Sequence, residues 1–221
     1  MHLKNKKVIV TGGPTREWID PVRFISNPST GKMGIALADE ASRRGADTIF
    51  IHGPVREDLI KGKPYRTVGV ESTGELLAAV LGALSDNSLL IMAAAPSDYA
   101  PVERSGVKIK KGAAEMALML KRTPDILKTV SEKIKSGELK GMIVAGFAAE
   151  TVNTEEYALG KLRGKNLDMI CLNDVSRKDA GFALDTNRVI IFDRTGARTA
   201  LPTLTKEETA ARILDFMEER F

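Results

Sequence analysis

Short aliphatic and β-branched runs recur along the chain, each closed by a small or polar residue and followed by a helical pattern. Lys7-Val8-Ile9-Val10-Thr11 ends at Gly12-Gly13, and Leu89-Leu90-Ile91-Met92-Ala93 ends in further alanines. Similar runs cover residues 47–51, 66–70, 142–147 and 169–173. These runs are apolar throughout rather than at alternate positions, the pattern of strands covered on both faces. Between them, residues 34–44 carry apolar side chains at helical spacing and stop at Gly45. Ser72-Thr73-Gly74-Glu75 and Thr205-Lys206-Glu207-Glu208 are capping boxes that open two more helices. Thr123-Pro124 predicts a helix running to Lys135, with threonine as its cap and proline at its first position, and residues 154–165 predict another.

Strands alternating with helices predict an α/β fold, a doubly wound, mainly parallel, Rossmann-like sheet. Asp193-Arg194-Thr195-Gly196, between β-rich residues 188–192 and 198–201, predicts a C-terminal β-hairpin. Residues 95–112 break the rhythm, with Pro96, Pro101, Gly106 and Gly112 enclosing several lysines, and read as a mobile lysine-rich loop. Strand character resumes at residues 116–121. One domain over residues 1–221 is expected.

Bulk charge is modest, 33 Lys plus Arg against 29 Asp plus Glu, so no nucleic-acid partner is expected. No stretch approaches the ~20 apolar residues that span a bilayer, so no membrane partner is expected either. A lone Cys171 cannot form an internal disulfide, which points to a reducing, cytoplasmic setting and a buried structural thiol. His2 and His52 are too few for a structural zinc site or a convincing Ser-His-Asp hydrolase.

Ligands of such sheets bind beyond the carboxyl ends of the strands. Gly12-Gly13 would let a backbone come close to a ligand there, or form a plain glycine turn. The familiar nucleotide signatures fail. Pro14-Thr15-Arg16 follows Gly13 in place of further spaced glycines, and Gly31-Lys32 is followed by Met33 rather than a hydroxyl residue. Lysines offer another way to hold phosphates: Lys108, Lys110 and Lys111 in the loop, and Lys161 and Lys165 on one helical face. Either set is equally a solvated surface. The helix start at Pro124-Asp125-Ile126-Leu127 is a third anion candidate or an ordinary cap. The Asn27 amide can donate to a carbonyl oxygen while accepting from an amine, although asparagine before proline is also a common turn. Trp18 and Phe24 pack beneath their polar loop or across a subunit interface.

Taken together, these segments resemble the phosphopantothenate–cysteine ligase (phosphopantothenoylcysteine synthetase) family of coenzyme A biosynthesis. The likeness runs from about Val8 to Phe192. It is carried by Thr11-Gly12-Gly13-Pro14-Thr15-Arg16-Glu17, Ile19 through Asn27, Gly31-Lys32-Met33-Gly34, Asp98-Tyr99 and Lys108-Ile109-Lys110-Lys111. Pro124-Asp125-Ile126, Gly146 through Thr151, Lys161, Lys165-Asn166-Leu167-Asp168 and Asn173-Asp174-Val175 complete it. Pro96-Ser97 departs from the Val-Ala of many relatives.

The resemblance implies a two-step ligase. The carboxylate of 4′-phosphopantothenate attacks the α-phosphate of CTP, brought with Mg2+, and pyrophosphate leaves. The amine of L-cysteine then displaces CMP. Asn27 and Lys108 would be catalytic, and Arg23, Asn27, Ala94 and Ala95 would meet the acyl substrate. Gly12, Ala93, Ala94, Asp98, Lys108, Pro124, Asp125, Ile126, Leu127, Phe147, Lys161 and Lys165 would meet the nucleotide. A homodimer is implied, as is association or native fusion with a flavin-dependent phosphopantothenoylcysteine decarboxylase.

Two rivals stay open. Val10-Thr11-Gly12-Gly13 with Tyr157 and Lys161 shows the Tyr-x-x-x-Lys spacing of short-chain dehydrogenases. A nucleotide-sensing module without catalysis would share the fold.

Overall fold

A computed structural model of the chain describes residues 2–112, 115–174 and 185–220. Its first elements are β1 (Lys7–Gly12), β2 (Arg16–Trp18), β3 (Phe24–Ser26), α1 (Lys32–Arg43), β4 (Asp47–His52) and β5 (Arg66–Gly69). Then come α2 (Thr73–Ala83), β6 (Leu89–Met92), β7 (Tyr99–Pro101), β8 (Leu120–Arg122), α3 (Ile126–Lys135), β9 (Ile143–Glu150) and α4 (Thr154–Gly164). The chain continues through β10 (Met169–Asp174), β11 (Thr186–Asn187), β12 (Val189–Asp193), β13 (Arg198–Ala200), β14 (Leu204–Thr205) and α5 (Lys206–Arg220).

The central sheet has eight strands in the order β13-β12-β10-β9-β6-β1-β4-β5. From β10 to β5 neighbouring strands are parallel, whereas β12 runs antiparallel to both β10 and β13. The doubly wound sheet and the C-terminal hairpin are therefore present. Val8, Ile9 and Val10 of β1 are fully buried, and each such side chain contributes roughly 1.5–3 kcal/mol. Successive residues feed opposite cores. Val8 and Val10 pack with α1 and α5, while Ile9 packs with the apolar faces of α2, α3 and α4. Buried Cys171 belongs to the first core, and burial pushes its thiol pKa up, as expected of a structural thiol. Among the described residues no helix is long and apolar enough to cross a membrane.

Both capping boxes form. Ser72 Oγ accepts from the Glu75 N–H, and Thr205 Oγ1 accepts from the Glu208 N–H while Glu208 returns the bond to the Thr205 N–H. The α3 start differs from expectation. Asp125, not Thr123, caps the helix by accepting from the Lys128 N–H at 3.1 Å, so Pro124 lies before the helix. The Thr123 hydroxyl instead donates to the Ser97 carbonyl.

Two further differences lie outside the main sheet. The strand expected at 116–121 shrinks to β8, an exposed strand paired with β7, so the 95–112 segment is not wholly loop. It also hydrogen-bonds to its surroundings, Ser105 N–H to the Ile19 carbonyl and Ile109 N–H to Asp20 Oδ2. Residues 16–26, read as a polar loop, form the β2–β3 hairpin. Trp18 and Phe24 meet edge-on there at 5.1 Å, with Arg16 over the Phe24 ring. Such short strands carry too few residues for a periodicity to show.

Candidate active site

Beyond the carboxyl ends of β1, β6, β9 and β10 lies a cleft of about 610 Å³. It occupies the switch point at which strand order reverses about β1 and β6. Gly31 shapes one wall: its φ of 79° turns the chain into α1, a conformation costly for a side-chain-bearing residue. At Gly34 a Cβ would stand 2.7 Å from the Thr11 carbonyl oxygen, so glycine lets α1 rest on the end of β1.

The segment after β6 forms the floor. Ala94 N–H donates to Thr11 Oγ1 at 3.0 Å and Ala95 N–H to the Gly13 carbonyl at 2.9 Å. Ser97 N–H donates to Thr15 Oγ1, which is 2.9 Å from Thr73 Oγ1, and Thr73 donates from N–H and hydroxyl to the buried Glu17 carboxylate. This Thr15–Glu17–Thr73–Ser97 network couples β2, the α2 N-terminus and the cleft floor, and sequence reasoning missed it. Its only signal is a carboxylate next to Trp18 within a short strand. The network takes Ser97 through its backbone, so it places no demand on the side chain there.

Asn27 projects over this floor. Its Nδ2 donates to the Ala95 and Pro96 carbonyls at 3.1 and 3.0 Å, so the amide's donors meet protein and its carbonyl oxygen is the acceptor suited to an incoming amine. On the α3–α4 side, Lys165 Nζ lies 2.9 Å from Asp125 Oδ2, and Lys161 Nζ points to the Phe147 carbonyl at 3.5 Å. Burial lowers the Lys161 pKa, with Lys165 adding to the effect against Glu150, Asp98 and Asp125. Burial alone would raise the Asp125 pKa, but Lys165 and the Lys128 N–H together hold it below the usual range.

Of the residues expected at the site, Asn27, Ala93, Ala94, Ala95, Asp98, Pro124, Asp125, Ile126, Leu127, Phe147, Lys161 and Lys165 line this single cleft. Gly12, Arg23 and Lys108 do not. A Cβ on Gly12 would meet the Phe50 ring at 2.8 Å and the Gly34 Cα at 3.3 Å, so its close approach serves packing. Arg23 is held by Asp20 at 2.5 Å and donates to the Ile109 carbonyl at 3.1 Å; its guanidinium keeps the Asp20 carboxyl far below the usual range. Lys108, beside Ile109, is exposed. Tyr157 is 54% exposed and absent from the lining, so the dehydrogenase spacing with Lys161 has no geometric counterpart.

The sequence assigns no site role to four lining residues on the α1–α5 side, Lys32, Asn173, Asn187 and Lys206, although Lys32 and Asn173 stand in the motifs that carry the resemblance. Lys206 is 4% exposed, donates to Asn187 Oδ1 at 3.0 Å, and has its pKa lowered by burial. Its signal, a lysine inside a capping box, looks like any solvated first-turn residue.

The model of the DNA/pantothenate metabolism flavoprotein C-terminal domain matches residues 3–220. The coenzyme A biosynthesis bifunctional protein CoaBC of Bacillus subtilis (strain 168) is 46% identical over 212 residues, 96% of this chain and 51% of that protein. A cysteine/cysteine sulfinic acid decarboxylase from an unknown prokaryotic organism is 40% identical over 212 residues, 96% of this chain and 58% of that protein. The chain thus spans about half the length of these curated relatives. A crystal structure of the C-terminal domain of CoaBC matches with a TM-score of 0.78 at 38% identity, covering 99% of this chain and 96% of that one. With fold, cleft and motifs in agreement, the chain belongs to the DNA/pantothenate metabolism flavoprotein C-terminal domain family, the phosphopantothenate–cysteine ligase region that its motifs resemble.

Proposed function

We propose that the chain joins 4′-phosphopantothenate to L-cysteine in coenzyme A biosynthesis, using CTP. The observation that carries this reading is the cleft itself, which brings an amide acceptor, Asn27, together with a lysine-bearing helix face and a helix N-terminus. In the first step a carboxylate oxygen bonds to the α-phosphorus and the bond to the bridging oxygen breaks, so pyrophosphate leaves. Lys161, Lys165 and the first N–H groups of α3 stabilise the charge that gathers on the phosphates. In the second step the cysteine nitrogen bonds to the acyl carbon, CMP leaves with the electron pair, and the amine's protons pass to solvent. Asn27 Oδ1 orients the amine by accepting one of its hydrogens.

Among the described residues no cluster of three or more His, Cys, Asp and Glu could hold a metal ion. Asp98 and Asp125 are the described carboxylates lining the cleft, and Asp125 is engaged by Lys165. The described residues therefore do not fit a resident metal, and Mg2+ is proposed to arrive on the triphosphate oxygens. Asp98 would accept from the cytosine amino group, and because adenine carries an amino group too, the space around Asp98 and Phe147 would set the preference for CTP over ATP. Arg23 and Lys108 would act only on closure of the 95–112 segment over the ligands, with the Arg23–Ile109 bond linking the two.

Exposed Val22, Phe24, Tyr99, Val102, Met119 and Leu120 lie on or beside the small β2–β3 and β7–β8 pairs, an apolar surface for a homodimer. The greater length of the relatives supports association or fusion with a decarboxylase, and buried Cys171 suits the cytoplasm.

The test is pyrophosphate release by purified protein with Mg2+ and 4′-phosphopantothenate, comparing CTP with ATP, followed by cysteine. Release with CTP and a cysteine-dependent amide product by mass spectrometry are expected. Folded protein that releases none with either nucleotide overturns the ligase reading. Carbon dioxide from cysteine alone would favour the activity named for the second relative.

A further inference from the structure

The cleft floor leaves the main sheet after β6 and is held largely by side chains. The Ala95 and Pro96 carbonyls accept from Asn27, and the Ser97 and Asp98 carbonyls accept from the Thr123 hydroxyl and N–H at 2.6 and 3.0 Å. Ser97 N–H is held differently. It donates at 2.9 Å to Thr15 Oγ1, a fully buried hydroxyl, and the bonds behind Thr15 run away from the cleft to a carboxylate. That carboxylate is Glu17 on β2, 8% exposed, which accepts from the N–H and the hydroxyl of Thr73 at 2.8 and 2.7 Å. Burying a carboxylate is expensive, so its place calls for a reason. Starting α2 is not a sufficient one, because Ser72 and Glu75 already close a capping box there.

A carboxylate has no hydrogen to give, and this sets the direction of the bonds that follow. Thr73 gives its hydroxyl hydrogen to Glu17. A competing acceptor, the Ser97 carbonyl, is farther at 3.3 Å and already takes the Thr123 hydroxyl. Thr73 Oγ1 then accepts from the Thr15 hydroxyl across 2.9 Å. With its own hydrogen committed, Thr15 Oγ1 is left as an acceptor aimed at Ser97 N–H. Hydroxyls ordinarily rotate to give or to accept, and here the buried carboxylate holds two of them to one sense.

We propose that Glu17, Thr73 and Thr15 are positioning residues for the nucleotide base, ordered so that Thr15 holds the Ser97 amide and thereby sets Asp98 in the cleft. Asp98 follows Ser97 directly and lines the cleft. Thr15 fixes the amide before it and Thr123 fixes its own carbonyl, so the backbone that carries the Asp98 carboxylate is held on both sides. The assignment rests on the ligase reading and deepens it. Base recognition is set from beneath the cleft by three residues that touch no substrate, while the phosphates are held separately on the α3–α4 side.

Thr15→Val keeps the side chain's shape and removes the acceptor, whereas Thr15→Ser keeps the hydroxyl. Thr73→Val breaks the chain one bond farther from the cleft and is the second variant should Thr15→Val not fold. Glu17→Gln keeps the shape and adds hydrogens that can reverse the bonds. Thermal melts show which variants fold. The readouts are cysteine-independent pyrophosphate release with CTP or ATP, and inhibition by inorganic pyrophosphate as the control for the phosphate side. Loss of one buried hydrogen bond predicts a CTP KM raised about 5- to 10-fold in Thr15→Val and Thr73→Val, and a CTP-over-ATP preference lowered by a similar factor. Inhibition by pyrophosphate should stay within about twofold of the parent. Thr15→Ser should remain close to the parent, and Glu17→Gln should shift in the same direction as Thr15→Val.

An unchanged CTP KM in the folded valine variants would overturn the assignment. So would pyrophosphate inhibition weakened as much as CTP use, since the network would then only support the cleft as a whole. Thr15→Ser impaired as much as Thr15→Val would show a need for threonine's shape rather than its bond. Failure of every variant to fold would assign the network to stability and overturn it equally. A parent that releases no pyrophosphate with either nucleotide sinks the ligase reading itself, an outcome distinct from all of these.

Discussion

The two sides of the cleft hold their lysines in different ways. On the α3–α4 side Lys165 is paired with Asp125, a half-exposed carboxylate that also caps α3, and Lys161 stands half-buried beside it. On the α1–α5 side Lys206 is almost fully buried, donates to Asn187 Oδ1 and has the Asp185 and Glu207 carboxylates nearby. An ion pair at a rim can open to admit a polyanion, and the helix end behind it is already suited to phosphate. Lys206, buried and held from more than one direction, belongs to the wall of the cleft rather than to its rim. The difference teaches that one cleft can hold its cations at two depths, some poised at the rim and one set into the wall.

The largest effect expected is on the first side. Lys161→Met with Lys165→Met removes the charges proposed to face the leaving pyrophosphate and should slow cysteine-independent pyrophosphate release by roughly 10³-fold or more. If Lys206→Met slowed that step as much, the division between the sides would be wrong. Asn27 sits between them. Asn27→Ala removes the acceptor for the amine together with two bonds to the floor, and should cost amide formation about 10²-fold while activated intermediate accumulates. Rapid-quench analysis of acyl-nucleotide would show that build-up, and its absence would move Asn27 to the first step.

The sequence made the α3–α4 side far more legible than the α1–α5 side, for physical reasons. Lys161 and Lys165 are four residues apart on one helix, a spacing that places them together without tertiary knowledge. Ala93 and Asp98 are legible only through the family resemblance, although they stand where open parallel sheets bind their ligands. Asn173, Asn187 and Lys206 come from β10, β11 and α5, and only the antiparallel turn-back of β12 brings them together. Strands are legible where runs are long and apolar, as in β1 and β9, and illegible at β2, β3 and β7, whose three residues each carry no period. Gly12 shows a different limit. Its need for a small residue was readable, but whether a ligand or Phe50 occupies the space was not.

A smaller change sharpens the account of Lys165. Asp125→Asn keeps a capping side chain for α3 and removes the carboxylate that competes with phosphate. Lys165 is then free of its ion pair, and the KM for CTP should fall by about two- to fivefold with little change in thermal stability, as exposed pairs contribute under ~1 kcal/mol. A rise in KM would mean that the carboxylate itself contacts the nucleotide.

The smallest effect expected concerns stability, and its sign separates binding from folding. Burial lowers the Lys161 pKa, with Lys165 adding to it. Between that lowered value and the ordinary lysine value near ~10.4, the unfolded chain binds more protons than the folded one, so stability rises with pH across the window. Below the window the cost of the desolvated charge is present in full. Lys161→Met removes it, and should leave the ligand-free protein at neutral pH as stable as the parent or more so, each kcal/mol gained appearing as about 2–4 °C in Tm. The advantage should shrink as pH climbs through the window and vanish above it. Saturating CTP should reverse the order at neutral pH, because only the parent gains the phosphate contacts that stabilise the bound form. Melts with and without CTP at pH 7 and near ~10 would measure this directly. A variant less stable than the parent without ligand would show that Lys161 holds the fold together rather than waiting for phosphate.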